Sequence, residues 1–145
     1  MSGSSGLPDN VVIDSVALRS LRAPERLRLF KLTSGDPDSH MLSLLRGRPE
    51  LARCFLARRD AEILGWSVAR WYKPPAERPR NAHISVFIDP QWRRHGLGRA
   101  LIVAATDFAI GLGIVPWVSA AGDEQLAFYQ ACPWVRIARA PFQTR

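Results

Sequence analysis

The sequence predicts a single α/β domain (α+β by some schemes), with a mixed central β-sheet flanked by about four helices. The chain has 145 residues, a length that suits one hydrophobic core. Segments with strand and helix patterns alternate along it, as is typical of a sheet covered by helices. Two strand-like segments follow each other as a hairpin in the middle of the chain, so the sheet is expected to contain antiparallel and parallel pairs.

The first half of the chain is predicted to form one strand, two helices and the hairpin. The strand begins at Val11, and an amphipathic helix follows at 21–32. A second helix is expected after the break SGDPDS, which supplies an aspartate cap. The hairpin strands are expected at 51–57 and 62–72, joined by a tight connection through 58–60.

The second half is predicted to contain three more strands and two helices. A loop at 73–81 carries three prolines and precedes a strand at 82–88. This strand alternates apolar residues on one face with His83, Ser85 and Phe87 on the other. The remaining elements are, in order, a helix from Leu97 to Leu112, a strand at 114–119, a helix at 125–131 and a short strand at 134–137.

Arginine dominates the charge of the chain. Lysine and arginine number 20 against 13 acidic residues, giving a formal net charge of +7, and the only lysines are Lys31 and Lys73. A basic excess favours anionic partners such as nucleic acid, phosphates or an acidic membrane surface. A GC-rich genome that prefers arginine codons explains the excess equally well, so composition alone leaves the partner open.

Cysteine, histidine and leader patterns narrow the class of protein further. Cys54 and Cys132 are isolated, which fits a reducing compartment and a cytoplasmic location. The three histidines do not cluster with them, so no metal site is expected. No apolar run approaches the roughly 18 residues of a membrane span. Residues 1–10, which include MSGSSG, are expected to be a flexible leader or tag remnant ahead of a domain at 11–145.

Glycine and arginine gather in the stretch DPQWRRHGLGRALI, residues 89–102, where a strand gives way to a helix. The first N–H groups of a helix lack intrahelical partners, and glycine lets such backbone approach an anion closely. Neither a P-loop string nor the third glycine of a dinucleotide fingerprint is present. The context therefore favours a phosphate cradle over a basic turn in which the glycines serve packing only. Its expected members are Arg93, Arg94, His95, Gly96, Leu97, Gly98 and Arg99.

This loop resembles the [QR]-x-x-G-x-[GA] pyrophosphate loop of the GNAT superfamily of N-acetyltransferases. The approach to it, residues 86–92, is similar to the V-x-P-x-[YW] segment that leaves the fourth strand of that family. Phe128 and Tyr129 resemble the family's A-x-x-[FL]-Y motif. The order of predicted elements from 11 to 137 also agrees. The resemblance implies a GNAT-like fold whose sheet splays between strands four and five.

The resemblance also implies a donor and a mechanism. Acetyl-CoA would place its pyrophosphate on the loop N–H groups of 94–99 and its pantetheine arm along the main chain of Val86, Phe87 and Ile88. An N–H near Ile88 would polarise the thioester carbonyl. An uncharged primary amine would attack directly, without a metal, and Tyr129 would contact the cofactor and protonate the departing thiolate.

Departures from the family pattern leave the general base and the activity open. The family often has asparagine where this chain has Gly122, and its "GF" is replaced by Pro133-Trp134. Trp117 stands where ribosomal-protein N-terminal acetyltransferases carry a glutamate base. His83 is then the candidate base, with a water relay or an already neutral amine as alternatives. A structural histidine, and a half-buried aromatic role for Tyr129, are the competing interpretations.

Three functions follow from these observations. The favoured one is acetyl transfer to a primary amine of a small molecule, an amino acid or a protein N-terminus. The second is a non-catalytic acyl-CoA-binding or interaction module, suggested by Gly122 and the absent glutamate. The third uses arginines between 19 and 53 as a nucleic-acid face, so that the amine is linked to RNA as in aminoacyl-tRNA; a solvated arginine surface is favoured over it. A homodimer stays open beside a monomer, and no membrane partner is expected.

Overall fold

The computed structural model describes residues 7–17, 20–33, 52–71, 81–120, 130 and 136–139. Within these residues, six strands form a single sheet in the order β1-β2-β3-β4-β5-β6. The strands are β1 (Val11–Ala17), β2 (Ala52–Arg59), β3 (Glu62–Trp71), β4 (Asn81–Ile88), β5 (Val115–Ala120) and β6 (Arg136–Arg139). The helices are α1 (Ala23–Thr33) and α2 (Leu97–Gly111).

The sheet is mixed, as the sequence predicts. β1–β2, β2–β3 and β3–β4 pair antiparallel, whereas β4–β5 and β5–β6 pair parallel. Apolar side chains bury on both faces of the sheet. One cluster packs against α2, and another packs against α1. In the part of the chain that the structure describes, no helix is long and apolar enough to cross a membrane.

The hairpin connection is shorter than predicted. Arg58 and Arg59 were expected in the turn, but both belong to β2, and Arg59 pairs with Glu62 of β3. The turn consists of Asp60 and Ala61, and Asp60 adopts the left-handed conformation with φ 56°. A two-residue hairpin turn requires such a conformation, and aspartate tolerates it well.

Three other strand boundaries differ from the predicted ones. β4 begins at Asn81, which was assigned to the preceding loop, because Asn81 pairs with Val115 of β5. β5 begins after Ile114, whose N–H donates to the Ala109 carbonyl (2.9 Å) and closes the end of α2. β6 lies closer to the C-terminus than the predicted 134–137, because its register on β5 begins at Arg136. The predicted second helix and, except for the helical Gln130, the predicted helix at 125–131 lie outside the described residues.

α1 begins with half of a capping box. Glu25 accepts a hydrogen bond from the Arg22 N–H through Oε1 (2.9 Å), which satisfies a donor that precedes the first turn. Leu29 and Thr33 face the sheet and are fully buried. The Thr33 hydroxyl donates to the Leu29 carbonyl (2.7 Å), so its burial leaves no unsatisfied polar group.

α2 lies along the opposite face and is fixed to the hairpin. Leu97 and Leu101 are almost completely buried, as their helical spacing predicts, and Ile102 is buried as well. Leu112, which the same spacing places on this face, is exposed. The Ser67 hydroxyl of β3 donates to the Leu101 carbonyl (2.8 Å). This hydrogen bond fixes α2 to β3. The N-terminus of α2 lies near the end of β4 because a short connection joins the two elements.

A β-bulge in β3 sets the position of the end of β4. Ala57 pairs with Gly65 while Arg58 pairs with Ile63, so Leu64 is the extra residue. A Cβ atom on Gly65 would lie 2.8 Å from the Phe87 carbonyl oxygen of β4. Glycine at this position therefore allows β3 and β4 to approach closely where β4 ends.

Candidate functional site

β4 and β5 separate partway along their length. Their pairing consists of Asn81 with Val115, Ala82 with Pro116, and His83 with Trp117. β4 continues to Ile88 and β5 to Ala120 without further pairs between them. The parallel strands thus form a V-shaped gap that begins after His83, and the predicted splay of the sheet is confirmed.

The main chain of β4 turns alternate polar groups toward this gap. The Asp89 N–H donates to the Leu64 carbonyl of β3 (2.9 Å), so the polar groups at Asp89 and at every second residue before it point toward β3. Val86 and Ile88 have the opposite orientation, so their N–H and C=O groups point toward β5, which has diverged. An extended ligand lying along β4 would find hydrogen-bonding partners there.

The side chains of this segment pack on the two faces of the sheet. Val86 and Ile88 contact the cluster that includes α2, whereas Phe87 contacts the cluster under α1. Phe87 stacks on Trp66 of β3 with ring centroids 6.2 Å apart and an interplanar angle of 22°. The open main chain is therefore held from both sides by packed side chains.

A single 3₁₀ turn, Pro90–Trp92, follows β4. Asp89 caps it, because Oδ1 accepts the Gln91 N–H (3.1 Å) and the Asp89 carbonyl accepts the Trp92 N–H (2.8 Å). The sequence predicts a turn here but not its helical form. The turn directs the chain from the end of β4 into the basic loop.

The basic loop lies exposed at the N-terminus of α2. Arg94 and Gly96 adopt left-handed conformations, with φ of 66° and 81°, and residues 93–96 are exposed. The Ala100 N–H donates to the Gly96 carbonyl (3.2 Å), which is the first bond of the helix ladder. The N–H groups of 97–99 precede that ladder and have no intrahelical acceptor. With three arginines nearby, this geometry is suited to an anion. The phosphate cradle stays a prediction.

Side chains of the 3₁₀ turn and of the basic loop contact neighbouring strands. Arg93 donates through Nε to the Ile88 carbonyl (3.2 Å), and its guanidinium lies 5.9 Å from the Phe87 ring centroid. The Arg59 guanidinium lies 4.4 Å from the Trp92 ring centroid, a cation–π distance. The His95 ring lies 5.5 Å from Trp92. The 3₁₀ turn is thus attached to β2 through Trp92, and the loop to β4 through Arg93.

His83 lies where the gap begins. It is buried, and its ring packs on Trp117 of β5 with centroids 4.4 Å apart. It shares a sheet face with Phe87, as the period of two predicts. The structure thus brings the candidate base to the apex of the gap, where Trp117 faces it from β5. Tyr129, Gly122 and Pro133-Trp134 lie outside the described residues.

Arg28 joins the site without a signal in the sequence. Its Nη2 lies 3.4 Å from Asp89 Oδ2 and donates to the Ile63 carbonyl (3.3 Å). Arg28 and Asp89 are 61 positions apart in the sequence, so only the fold reveals their contact. Arg28 connects α1 to the residue that caps the turn after β4.

A second ionic group lies behind the site. Arg58 forms ion pairs with Asp14 (Nε to Oδ2, 2.7 Å) and with Glu25. The hydrogen bond from the Arg22 N–H and the Arg58 pair together hold the pKa of Glu25 below its ordinary value, although burial opposes this. These groups fasten the start of α1 to β1 and β2.

Neither a thiol nor a metal centre is offered by the described residues. Cys54 is fully buried, and this burial raises the pKa of its thiol, so the reactive thiolate is disfavoured. Among the residues in the described ranges, no group of three or more histidine, cysteine, aspartate or glutamate side chains could hold a metal ion.

A sequence profile of the acetyltransferase (GNAT) family matches residues 17–132, most of the chain. The chain belongs to the GNAT family. This family model is one of acetyltransferases, and an acetyltransferase that is 26% identical shares the fold, so N-acetyltransferase activity is assigned to this GNAT protein. Among curated protein sequences, no significant match was found.

Three solved structures illustrate the likeness of the GNAT protein to known enzymes. An aminoglycoside acetyltransferase, meta-AAC0020, from an uncultured soil metagenomic sample is 26% identical, with a TM-score of 0.65 over 86% of this chain and 88% of that one. The ribosomal-protein-S18-alanine N-acetyltransferase from Escherichia coli is 16% identical, with a TM-score of 0.64 over 85% and 76%. AAC(6')-Iy in complex with a bisubstrate analog is 19% identical, with a TM-score of 0.61 over 93% and 97%.

Proposed function

We propose that this GNAT protein transfers the acetyl group of acetyl-CoA to a primary amine by direct attack in a ternary complex. The observation that carries the proposal is the open main chain of Val86 and Ile88, which leads along the gap to the N-terminus of α2. A ligand with an amide-containing arm and a pyrophosphate end matches this combination of groups.

The pyrophosphate binds at the basic loop in this proposal. The N–H groups of 97–99 supply donors, and Arg93, Arg94 and Arg99 supply positive charge. Gly96 has no Cβ, so it can adopt the left-handed conformation and its backbone can approach the phosphates closely. Arg93 donates to the Ile88 carbonyl through Nε only, so its Nη groups can donate to the phosphates.

The pantetheine arm lies along β4 and pairs with the open groups of Val86 and Ile88. An N–H of this edge, near Ile88, polarises the thioester carbonyl and stabilises the negative charge that develops on its oxygen. The acceptor amine attacks the thioester carbon beside this edge. His83 lies at the apex of the gap, five residues from Ile88 along β4, so as the candidate base it would act through a water relay. An amine that arrives neutral would need no base.

Tyr129 protonates the departing thiolate in this proposal, as the resemblance to the family motif implies. Donation by a phenol neutralises the thiolate as the tetrahedral intermediate collapses. The acetyl group then remains on the amine, and free CoA leaves along β4.

The acceptor is proposed by class only. The meta-AAC0020 enzyme has been solved in complex with sisomicin, and the neighbour from Escherichia coli is an S18-alanine N-acetyltransferase. The formal charge of +7 opposes the approach of polycations. We therefore expect neutral or anionic amines, including amino acids and protein N-termini, to be better acceptors than aminoglycosides.

Release of the CoA thiol, measured with a panel of amines, tests this proposal. The panel contains amino acids, short peptides and an aminoglycoside, and CoA binding is measured separately by calorimetry. We expect turnover with at least one amine and a lower kcat for Tyr129→Phe. Tyr72→Phe, at the chain's other tyrosine, is the matched control.

Three results would contradict the proposal in different ways. Binding of CoA without turnover of any amine would favour the acyl-CoA-binding module. A protein that does not bind CoA would contradict the cofactor itself. Turnover that requires an RNA-linked amine, with a steep loss of RNA affinity as salt rises, would favour the RNA-directed alternative.

A further inference from the structure

The Arg28 guanidinium is placed between two groups that hold the end of β4. It donates to the Ile63 carbonyl of β3 and faces the Asp89 carboxylate, at 3.3 and 3.4 Å. Asp89 is bound in turn to the next residue of β3, because its N–H donates to the Leu64 carbonyl. α1, β3 and the end of β4 thus meet at this ion pair.

The Asp89 carboxylate has two opposing effects on the proposed ligand site. It caps the turn that starts the basic loop, through the bond from the Gln91 N–H. In the chain, the same negative charge follows Ile88 and precedes the basic loop at which the anionic ligand is proposed to bind. An unneutralised carboxylate there would repel phosphates, and its side chain, only 17% exposed, has limited access to screening water.

We propose that Arg28 is a positioning residue for the acetyl-CoA site and acts through Asp89. It neutralises the carboxylate so that Asp89 can hold the turn without opposing the pyrophosphate. This inference rests on the proposed function, because it concerns the binding of the same cofactor. It assigns a role in cofactor binding to a residue of α1, which does not belong to the loop.

A purely structural role for Arg28 makes a different prediction. The Arg28 side chain is 36% exposed, and ion pairs of that exposure usually contribute little to stability. If Arg28 only fastened α1 to the sheet, its substitution would lower the free energy of unfolding. Removing the Asp89 charge would then not restore that free energy. If Arg28 neutralises Asp89, removing the negative charge should make Arg28 dispensable.

The experiment is a double-mutant cycle read out as CoA affinity. Calorimetry at low salt compares the parent with Arg28→Met, Asp89→Asn and the double variant. We expect Arg28→Met to weaken CoA binding about three- to tenfold, and the difference to shrink in high salt as charges are screened. Asparagine still offers Oδ1 to the Gln91 N–H, so we expect the double variant to bind within about twofold of Asp89→Asn alone.

Two further variants separate charge from folding. Arg22→Met removes the same charge at the start of α1, where the side chain is 83% exposed, and should leave CoA affinity unchanged. Arg28→Lys keeps the charge and serves if Arg28→Met does not fold. It should bind CoA within about twofold of the parent.

The outcomes are distinct. A double variant as weak as Arg28→Met, an Arg28→Met protein that binds like the parent, or a folded Arg28→Lys with strongly weakened binding would each overturn the inference. These results leave the proposed function intact as long as the parent binds CoA. A parent that does not bind CoA overturns both.

Discussion

His83 and Trp117 are the last residues to pair between β4 and β5, and their rings pack at 58° with centroids 4.4 Å apart. This contact fixes the apex from which the two strands diverge. The candidate base is therefore also part of the packing that holds the gap open. A substitution at His83 alters both roles unless the shape of the ring is preserved.

We expect His83→Phe to retain the contact with Trp117 while removing proton transfer. If His83 is the base, kcat should fall about 10²- to 10⁴-fold with little change in Tm. His83→Ala serves as the comparison, because it leaves a cavity beside Trp117 and should lower Tm as well. Steady-state kinetics and thermal unfolding measure the two effects. A His83→Phe enzyme with the parent kcat would assign His83 to packing and leave the proton to water or to the amine.

Gly96 and Gly113 offer a matched pair at the two ends of the α2 segment. Both have positive φ, 81° and 75°. Alanine at either position should therefore cost about 1–2 kcal/mol of unfolding free energy. Only Gly96 lies at the proposed pyrophosphate site, so only Gly96→Ala should also weaken CoA binding. Urea unfolding and calorimetry test this, and equal CoA affinities of the two variants would contradict the assigned loop.

Gly65 should be intolerant of a side chain because of its contact with β4. A Cβ there would lie 2.8 Å from the Phe87 carbonyl oxygen, which is backbone and cannot move alone. We expect Gly65→Ala to cost about 1–3 kcal/mol of unfolding free energy and to lower kcat by displacing Ile88. Gly111→Ala is the control, since nothing lies within 4 Å of its Cβ and its stability should be unchanged or higher. A parent-like Gly65→Ala enzyme would show that the end of β4 adapts freely.

Glu25 should make stability depend on pH in the acid range. Its pKa lies below the ordinary 4.5 in the folded protein, chiefly through the Arg22 N–H and then Arg58. The unfolded chain therefore binds the proton more readily, so this stabilisation is present above the unfolded pKa and is lost as pH falls through the folded one. We expect the free energy of unfolding of Glu25→Gln to be about 1 kcal/mol lower than that of the parent at pH 7. We expect this difference to shrink as the pH falls below the ordinary pKa of glutamate.

Urea unfolding at several pH values measures this dependence. Glu62→Gln is a suitable control, because its ion pair with Arg59 is 3.8 Å long and about half exposed, and it should change little. Parallel acid limbs for the parent and Glu25→Gln would show that Glu25 does not contribute.

Local patterns in the sequence were sufficient to predict the type and approximate position of most of the described helices and strands. The period of two identified β4, and helical spacing identified α1 and α2, because each exposes one face to a core. Strand ends were less certain, since Asn81 and Arg59 are placed by their partners on other strands and not by their own preferences. The splay after His83 followed from the resemblance to a family and not from residue patterns.

The contacts that support the site could not be predicted in the same way. Arg28 with Asp89, and Glu25 with Arg58, join residues 61 and 33 positions apart. A single sequence shows charges but not which charges the fold brings together. The basic loop was recognisable because its glycines and arginines are contiguous, whereas the role of Tyr129 stays a prediction.

The edge of β4 at Val86 and Ile88, which has no paired strand among the described residues, also bears on solubility. Unpaired strand edges are templates on which another extended chain can add and so nucleate self-association. A bound pantetheine arm would occupy this edge and complete the sheet as a missing strand does. The concentration of CoA would then affect the fraction of the protein that does not self-associate as well as the rate of acetyl transfer.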